Sequence, residues 1–219
     1  MTLRQIKSQV KTFIEQNRFD DLYKFVLIEK RALSAIISMS YDKSTLLSWR
    51  AAYFAGRIIG IIARAHYDEA RGQVRRIFWN TSDESGTICW SAAEILGEVI
   101  RENPAPFEDV IHLIVGLTEE DSPDNIFRAG GLYAIGRIGE VHREYIPKDA
   151  VDLIYEYLED KHAEVCANAI IAAGRLKLKV DIRILDRLKN RTEKVLIYNE
   201  DTLKFLSINE IVENAKLIN

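Results

Sequence analysis

A glycine recurs about every 40 residues along this chain, each time within a segment of small and apolar residues. The four glycines are Gly56, Gly97, Gly136 and Gly174. Aligned on them, the segments read WRAAYFAGRII, WSAAEILGEVI, AGGLYAIGRIG and ANAIIAAGRLK. A unit of this length cannot bury its apolar face alone, so it is stabilised by stacking on its neighbours. The spacing therefore predicts a helical solenoid.

Prolines mark the ends of the repeated helices. Pro104 and Pro106 follow the second glycine segment, Pro147 precedes another apolar run, and Ser122-Pro123 is typical of an N-cap followed by a first helical residue. Four helix pairs are expected. They are 20–40 with 43–65, 67–80 with 86–102, 105–118 with 123–141, and 147–159 with 162–177.

The C-terminal segment departs from the repeat. The stretch KVLIYNEDTLKFLSI is rich in β-forming residues and is interrupted by the polar turn Asn199-Glu200-Asp201, which predicts a β-hairpin. Ser207 and Glu210 have the spacing of a capping box, which predicts a last short helix. We expect this segment, about 180–219, to cap the repeats, about 43–177, within one domain spanning 1–219.

Charge and hydropathy narrow the class of protein. The net charge is −3, from 30 basic and 33 acidic residues that are interspersed, which argues against a protein that coats nucleic acid. The most apolar stretch, Ile58 to Ala63, is far shorter than the roughly 20 residues that span a bilayer. The amphipathic start lacks the apolar core of a signal peptide. We expect a cytoplasmic protein with no membrane association.

The two cysteines, Cys89 and Cys166, each precede the glycine of their repeat by eight residues. They occupy equivalent positions two repeats apart, on the order of 20 Å in a stack of helices about 8–10 Å apart. A disulfide cannot span that distance, so free, buried thiols are expected. The chain has no P-loop, no glycine-rich dinucleotide fingerprint, no catalytic serine or zinc motif. No cofactor, metal site or catalytic residue is predicted.

The third repeat, EEDSPDNIFRAGGLYAIGRIGE, closely resembles the HEAT repeats of the phycobilisome-lyase-like group. The other repeats keep the glycine but replace Arg128 with Ser48, Cys89 and Cys166. The resemblance implies an all-α, right-handed α-α superhelix, here with a C-terminal β-hairpin and capping helix, that serves as a binding scaffold. The matching features are the turn 121–124, the pair Phe127-Arg128, the small residues 129–131 and the ending 135–139.

Two catalytic relatives of HEAT proteins were compared with the chain. Deoxyhypusine hydroxylases bind iron through His-Glu pairs, and none of the four histidines here precedes a glutamate. HEAT-like alkylpurine DNA glycosylases use a basic groove with aromatic residues and an aspartate. Trp79, Asp83 and Trp90 lie near one another in the sequence, so a nucleic-acid-binding or DNA-repair module is the alternative to a scaffold. The resemblance leaves the partner and the oligomeric state open.

The candidate binding surface is the polar stripe of the second helices. At about 100° per residue, positions −6, −3, +1 and +4 from each glycine share one side of the helix. Arginines with tyrosines suit a carboxylate or phosphate partner. The stripe has two interpretations, which are compatible: salt bridges between adjacent repeats, and a groove for a protein partner or acidic segment. The candidate residues are Arg50, Tyr53, Arg57, Glu94, Glu98, Tyr133, Arg137 and Arg175.

A second candidate is the polar loop between Trp79 and Trp90, with the carboxylates Asp83 and Glu84. Exposed tryptophans beside carboxylates would make a ligand site. Tryptophans that end and begin packed helices, with a Ser or Asp as N-cap, explain the same residues without a ligand. The structural interpretation is favoured.

Overall fold

A computed structural model of the chain describes residues 1–81, 88–119, 126–215 and 217. Within these residues, twelve α-helices and one β-hairpin form the regular structure, with short 3-10 turns at 105–107 and 143–145. The strands are β1 (Lys194–Asn199) and β2 (Thr202–Ser207). The helices are α1 (Leu3–Glu15), α2 (Phe19–Ile28), α3 (Arg31–Met39), α4 (Leu46–Ile62), α5 (Tyr67–Trp79), α6 (Ala92–Glu102), α7 (Glu108–Glu119), α8 (Ile126–Gly139), α9 (Lys148–Tyr157), α10 (Ala163–Arg175), α11 (Ile182–Leu188) and α12 (Ile208–Asn214).

The helices form two layers. The second helices of the repeats, α4, α6, α8 and α10, pack side by side in chain order. The first helices, α3, α5, α7 and α9, each pack on the second helix that follows them. This arrangement confirms the predicted helical solenoid. No helix of the described residues is long and apolar enough to cross a membrane.

Two predicted boundaries were wrong. The helix expected over 20–40 is two helices, because Glu29 leaves the helical conformation at φ −115° and ψ 88°. Its carboxylate accepts a hydrogen bond from the backbone N–H of Arg31 and binds the Arg31 guanidinium, which favours a new helix start there. In the second repeat, α6 begins at Ala92 and not near 86. The predicted Ser122-Pro123 cap lies outside the described residues.

The repeated glycines are the points at which the second helices touch. A Cβ atom at Gly97 would lie 2.5 Å from the Cβ of Ala134, and one at Gly136 would lie 3.0 Å from the Cα of Ala172. In the same way, a Cβ atom at Gly56 would lie 2.5 Å from the Cβ of Glu98. Each glycine thus accepts the backbone of the next second helix at a distance that any side chain would increase.

The C-terminal hairpin and helix form as predicted. Glu200 and Asp201 both have positive φ, 46° and 61°, as a two-residue hairpin turn requires. The capping box of Ser207 and Glu210 starts α12, which packs on α10 beside Gly174. The hairpin does more than cap the end of the stack, because Asp201 in its turn is hydrogen-bonded to Asn17, just after α1, and to Arg50 of α4.

Both cysteines are free and buried, as expected. Burial, aided by the negative charge of Glu94, raises the pKa of Cys89 to about 12. Burial also raises the pKa of Cys166 to about 12, and its Sγ donates to the Leu158 carbonyl at 3.0 Å. Both side chains therefore pack as small apolar groups.

Substitution of Gly136 by leucine should destabilise the protein by about 1–3 kcal/mol or more, because the added volume separates α8 from α10. Urea denaturation followed by circular dichroism measures the change. Gly72→Ala is the control, since beyond its own helix backbone and chain neighbours no described atom lies within 4 Å of the added Cβ, and it should raise stability by up to about 1 kcal/mol. A parental urea midpoint for Gly136→Leu would contradict this account of the packing.

The thiols should resist modification in the folded protein. With a pKa of about 12, only about one thiol in ten thousand is ionised at pH 8. We expect no colour with Ellman's reagent (DTNB) over an hour under native conditions and two equivalents after unfolding in urea. Rapid native reaction of one equivalent would show that one of these cysteines is accessible.

Candidate functional site

One arginine from each second helix contributes to the wall of a single cavity of about 410 Å³. We call this cavity the arginine pocket and define it by Arg57 of α4, Arg101 of α6, Arg137 of α8 and Arg175 of α10. Arg57, Arg137 and Arg175 are among the candidate residues predicted from the polar stripe. Arg101 belongs to the same stripe but was not among the candidates. The shared helical phase therefore brings them together, as the periodicity indicated.

Aromatic rings hold the guanidinium groups in place. The guanidinium of Arg57 lies 4.1 Å from the ring centre of Phe19 and 5.5 Å from that of Tyr53. The guanidinium of Arg175 lies 5.7 Å from the ring of Tyr133. Such contacts fix the orientation of a guanidinium without occupying its N–H groups. The arginines can therefore still donate to a ligand.

A buried ion pair lies beneath the pocket. Glu98 is 1% exposed and accepts from Arg137 Nε at 2.6 Å and Nη2 at 3.2 Å. The hydroxyl of Tyr133 donates to the same carboxylate at 3.0 Å. Burial alone would lower the pKa of Arg137, but the charge of Glu98, its hydrogen bond and the charges of Tyr133 and Glu140 together outweigh burial, and the pKa of Arg137 is raised. Burial and then Glu98 raise the pKa of Tyr133.

Further ion pairs link adjacent repeats. Arg57 pairs with Glu102 at 3.3 Å and not with Glu98. The Cβ of Glu98 packs against Gly56, and the carboxylate is directed toward α8. Glu140 lies 3.3 Å from Arg137 and 3.7 Å from Arg101. Ion pairs between adjacent repeats therefore coexist with the pocket, although the pairing within them differs from a simple series of Arg57, Glu98 and Arg137.

The turn of the hairpin closes one side of the pocket. Asp201 accepts from Nε of Arg50 at 2.6 Å and from Nη2 at 2.9 Å, and Asn17 donates to it at 3.0 Å. Arg175 Nη2 donates to Asn199 Oδ1 at 3.0 Å. The hairpin thus joins α10 to α4 and to the end of α1.

An aromatic cluster fixes the hairpin on the second helices. The ring of Tyr198 is stacked on the ring of Trp49, with the ring centres 5.2 Å apart. The ring of Tyr133 also contacts Trp49, with the ring centres 5.4 Å apart. The Trp49 indole N–H donates to the Lys43 carbonyl at 2.8 Å. Burial, followed by the charge of Asp201, raises the pKa of Tyr198. The hairpin is therefore a packed part of the site.

Two guanidinium nitrogens of the arginines that line the pocket have no hydrogen-bond partner among the described residues. They are Arg175 Nη1 and Arg101 Nε, and both are shielded from solvent. Among the described residues, Arg175 also has no carboxylate within 4.0 Å, in contrast to the other three arginines of the pocket. Burial lowers the pKa of Arg175 from its usual value. The positive charge of the pocket is therefore least compensated at Arg175.

Glu94, a predicted site residue, does not line the pocket. It is 2% exposed and forms an ion pair with Lys43 at 2.5 Å. Burial raises the pKa of Glu94 despite the lysine. Its carboxylate packs where a Cβ at Gly130 would lie. The structure therefore assigns Glu94 to the core of the stack, while the candidates Arg50 and Tyr53 belong to the pocket and its rim.

The two tryptophans of the second candidate site have different environments in the structure. Trp90 is half-buried and stacked on Phe127 at 5.9 Å, which supports a packing role. Trp79 is 75% exposed at the end of α5. Asp83 and Glu84 lie outside the described residues. No group of three His, Cys, Asp or Glu side chains that could hold a metal occurs in the described part of the chain.

The sequence analysis missed the pocket residues that come from the two ends of the chain. These are Asn17 and Phe19 at the start of the stack, and residues 198–201 of the hairpin. The acidic hairpin turn was recognised, but its contact with Arg50, 151 positions away, was not. Period and phase relate neighbouring repeats only, so they carry no signal for this contact.

The two-layered stack of helix pairs, with a polar cavity on the second helices, defines a helical-repeat solenoid of the armadillo and HEAT class. A designed armadillo repeat protein in complex with the peptide (KR)4 covers 98% of both chains at a TM-score of 0.52 with 18% identity. A computationally designed armadillo repeat protein for modular peptide recognition covers 98% of this chain and 97% of its own at 0.51 with 19% identity. These likenesses show the fold alone.

No protein-family model matches the chain. An uncharacterized protein of Archaeoglobus fulgidus is 31% identical over 153 residues, an alignment that covers 70% of this chain and 76% of the archaeal protein. The chain belongs to the family of this archaeal protein.

Replacement of Arg137 by methionine should destabilise the protein by about 3–5 kcal/mol, because it leaves Glu98 buried without a cation. Urea denaturation measures the loss. The double variant Glu98→Gln/Arg137→Met removes the buried charge and keeps an acceptor for Tyr133, so it should recover most of the stability. Arg64→Met, at an exposed ion pair, should cost less than about 1 kcal/mol. Equal losses in the single and double variants would contradict the assigned charge pairing.

Proposed function

We propose that this chain is a non-enzymatic scaffold that binds an acidic segment of a protein partner on the second-helix face. The observation that carries the proposal is the contact between Asp201 and Arg50. This face already holds an acidic side chain, presented by the hairpin turn, through two parallel hydrogen bonds. Bidentate binding of a carboxylate by arginine is strong and specific in geometry. An acidic partner would repeat this contact at the neighbouring arginines.

The charges of the face favour a protein partner over nucleic acid. Three of the four pocket arginines face a glutamate of an adjacent repeat or turn. A DNA-binding groove needs a continuous positive surface that neutralises many phosphates, whereas this face alternates in sign. The alternative of a DNA-repair module of the alkylpurine glycosylase type has no such support.

The fold is consistent with this mode of binding. One designed armadillo protein of similar fold is described in complex with (KR)4, a basic peptide. The face here carries arginines, so we expect it to select the opposite charge. We further propose, on the third-repeat motif, membership of the phycobilisome-lyase-like HEAT group. We also propose a cytoplasmic location and a single unit over 1–219.

Arg57 is the pocket arginine best suited to meet such a partner. Its side chain is 30% exposed, and its guanidinium is already oriented by Phe19 and Tyr53. Arg137 is occupied by the buried Glu98, and its reversal would disrupt the core. Neutralisation of Arg57 therefore tests binding and leaves the buried Glu98–Arg137 ion pair intact.

Fluorescence anisotropy with labelled peptides of alternating Glu and Ser tests the proposal, with Gln/Ser and Lys/Ser peptides as probes of charge. The acidic peptide should bind, and binding should weaken as salt shortens the screening length to about 10 Å at 0.1 M. Arg57→Gln should weaken binding about tenfold, the loss of roughly one charge-assisted hydrogen bond. Arg183→Gln is the control, because it removes the same charge from an exposed ion pair on α11.

The variant Asp201→Asn provides a second arm, since it releases Arg50 from its intramolecular carboxylate. It should bind the acidic peptide more tightly than the parent, and Asp186→Asn on α11 should not. The proposal is lost when the acidic and neutral peptides bind alike, or when Arg57→Gln and Arg183→Gln have the same effect.

A further inference from the structure

The arginine pocket has the size and the chemistry of a small-molecule site. Its volume of about 410 Å³ lies in the range of pockets that enclose small ligands, about 300–1,000 Å³. The second helices, the end of α1 and the hairpin turn all contribute to its wall. A small ligand fits beside the hairpin turn, which lines one side of the cavity.

Two donors of the arginines that line the pocket lack an acceptor among the described residues. Arg175 Nη1 and Arg101 Nε are buried and unpaired. Arginine stays charged in proteins, so these N–H groups cannot be neutralised by loss of a proton. Buried donors in native proteins are almost always satisfied, and an ion or a water that completes the site is one established explanation of the exceptions. The cost of leaving them unpaired is large because they belong to a cation.

The surroundings specify the charge of the missing group. Arg57, Arg101 and Arg137 each have a glutamate within 4.0 Å, while Arg175 has only the neutral Asn199 amide oxygen among the described residues. The ring of Tyr133 lies beside the Arg175 guanidinium and offers an apolar surface. An oxyanion on Arg175 would supply both the acceptor and the negative charge.

We propose that the arginine pocket binds a small ligand through one oxyanion, a carboxylate or a phosphate group, held by Arg175 and Arg101. The body of the ligand rests on the tyrosines of the wall, Tyr53, Tyr133 and Tyr198. The hairpin turn is the side wall, and Asn199 orients Arg175 by accepting from its other terminal nitrogen. This site is independent of the proposed function, because a small anion needs no protein partner.

Isothermal titration calorimetry of the purified full chain tests the site with two probes, inorganic phosphate and benzoate. At least one should bind with a saturable, single-site heat and raise the melting temperature beyond the effect of chloride at equal ionic strength. Preference for phosphate assigns a phosphate-bearing ligand, and preference for benzoate assigns a carboxylate on an apolar body. A lack of saturable binding by both probes overturns the proposal.

Matched variants locate the bound anion. Arg175→Met keeps the apolar length of the side chain and should reduce affinity at least tenfold, and Arg101→Met should do the same. Arg183→Met, at an exposed pair on α11, should bind like the parent. Parental affinity in Arg175→Met overturns the assignment, and Arg101→Met decides alone when circular dichroism shows that Arg175→Met is not folded.

The two proposals fail in different ways. A protein that binds phosphate or benzoate but no acidic peptide retains the small-anion site and loses the scaffold function. A protein that binds acidic peptide through Arg57 but neither small anion loses the site at Arg175.

Discussion

Close contact between glycines and the next helix is the interaction on which this structure depends. At Gly97 the backbones of successive second helices approach to a distance that excludes even a methyl group, and at Gly136 an added methyl group would press against the Ala172 backbone. Helices that pack this closely are held by many small dispersion contacts and cannot be separated without loss of most of them. The same kind of glycine contact repeats from α4 to α10, so each second helix is seated on the next in the same way. Every polar group on the second helices is positioned by this packing.

The close packing also explains why charges are buried. Glu98 lies on α6 at the point where this helix packs against Gly56 of α4, so its side chain is buried there. Its carboxylate is compensated by Arg137 and by the Tyr133 hydroxyl. A buried ion pair seldom adds stability over an apolar pair, but it fixes geometry. Here it holds one arginine of the pocket in a constant place and leaves its neighbour, Arg175, without a carboxylate.

The fold could be predicted from the sequence because it rests on local, repeated signals. The glycine period, the proline positions, the hairpin turn and the Ser207 capping box each act over a few residues. The helical phase also placed Arg57, Arg137 and Arg175 together. Phase could not tell that Glu94 is paired with Lys43 inside the stack, since that depends on a residue outside the helix. Nor could it place Asp201 on Arg50, which is a contact between the two ends of the chain.

The contact between the two ends distinguishes this chain from an open array of repeats. An open array of repeats is a one-dimensional system, in which the terminal units are free to fray and each unit depends only on its neighbours. Here the turn at Asp201 is bonded to Arg50 and Asn17, so the last element restrains the first. Loss of structure at either end must break the same contacts, which couples the two ends thermodynamically. The helices are therefore joined end to end by side-chain contacts, and folding includes one loop closure of long sequence separation, whose entropic cost lowers the logarithm of the folding rate.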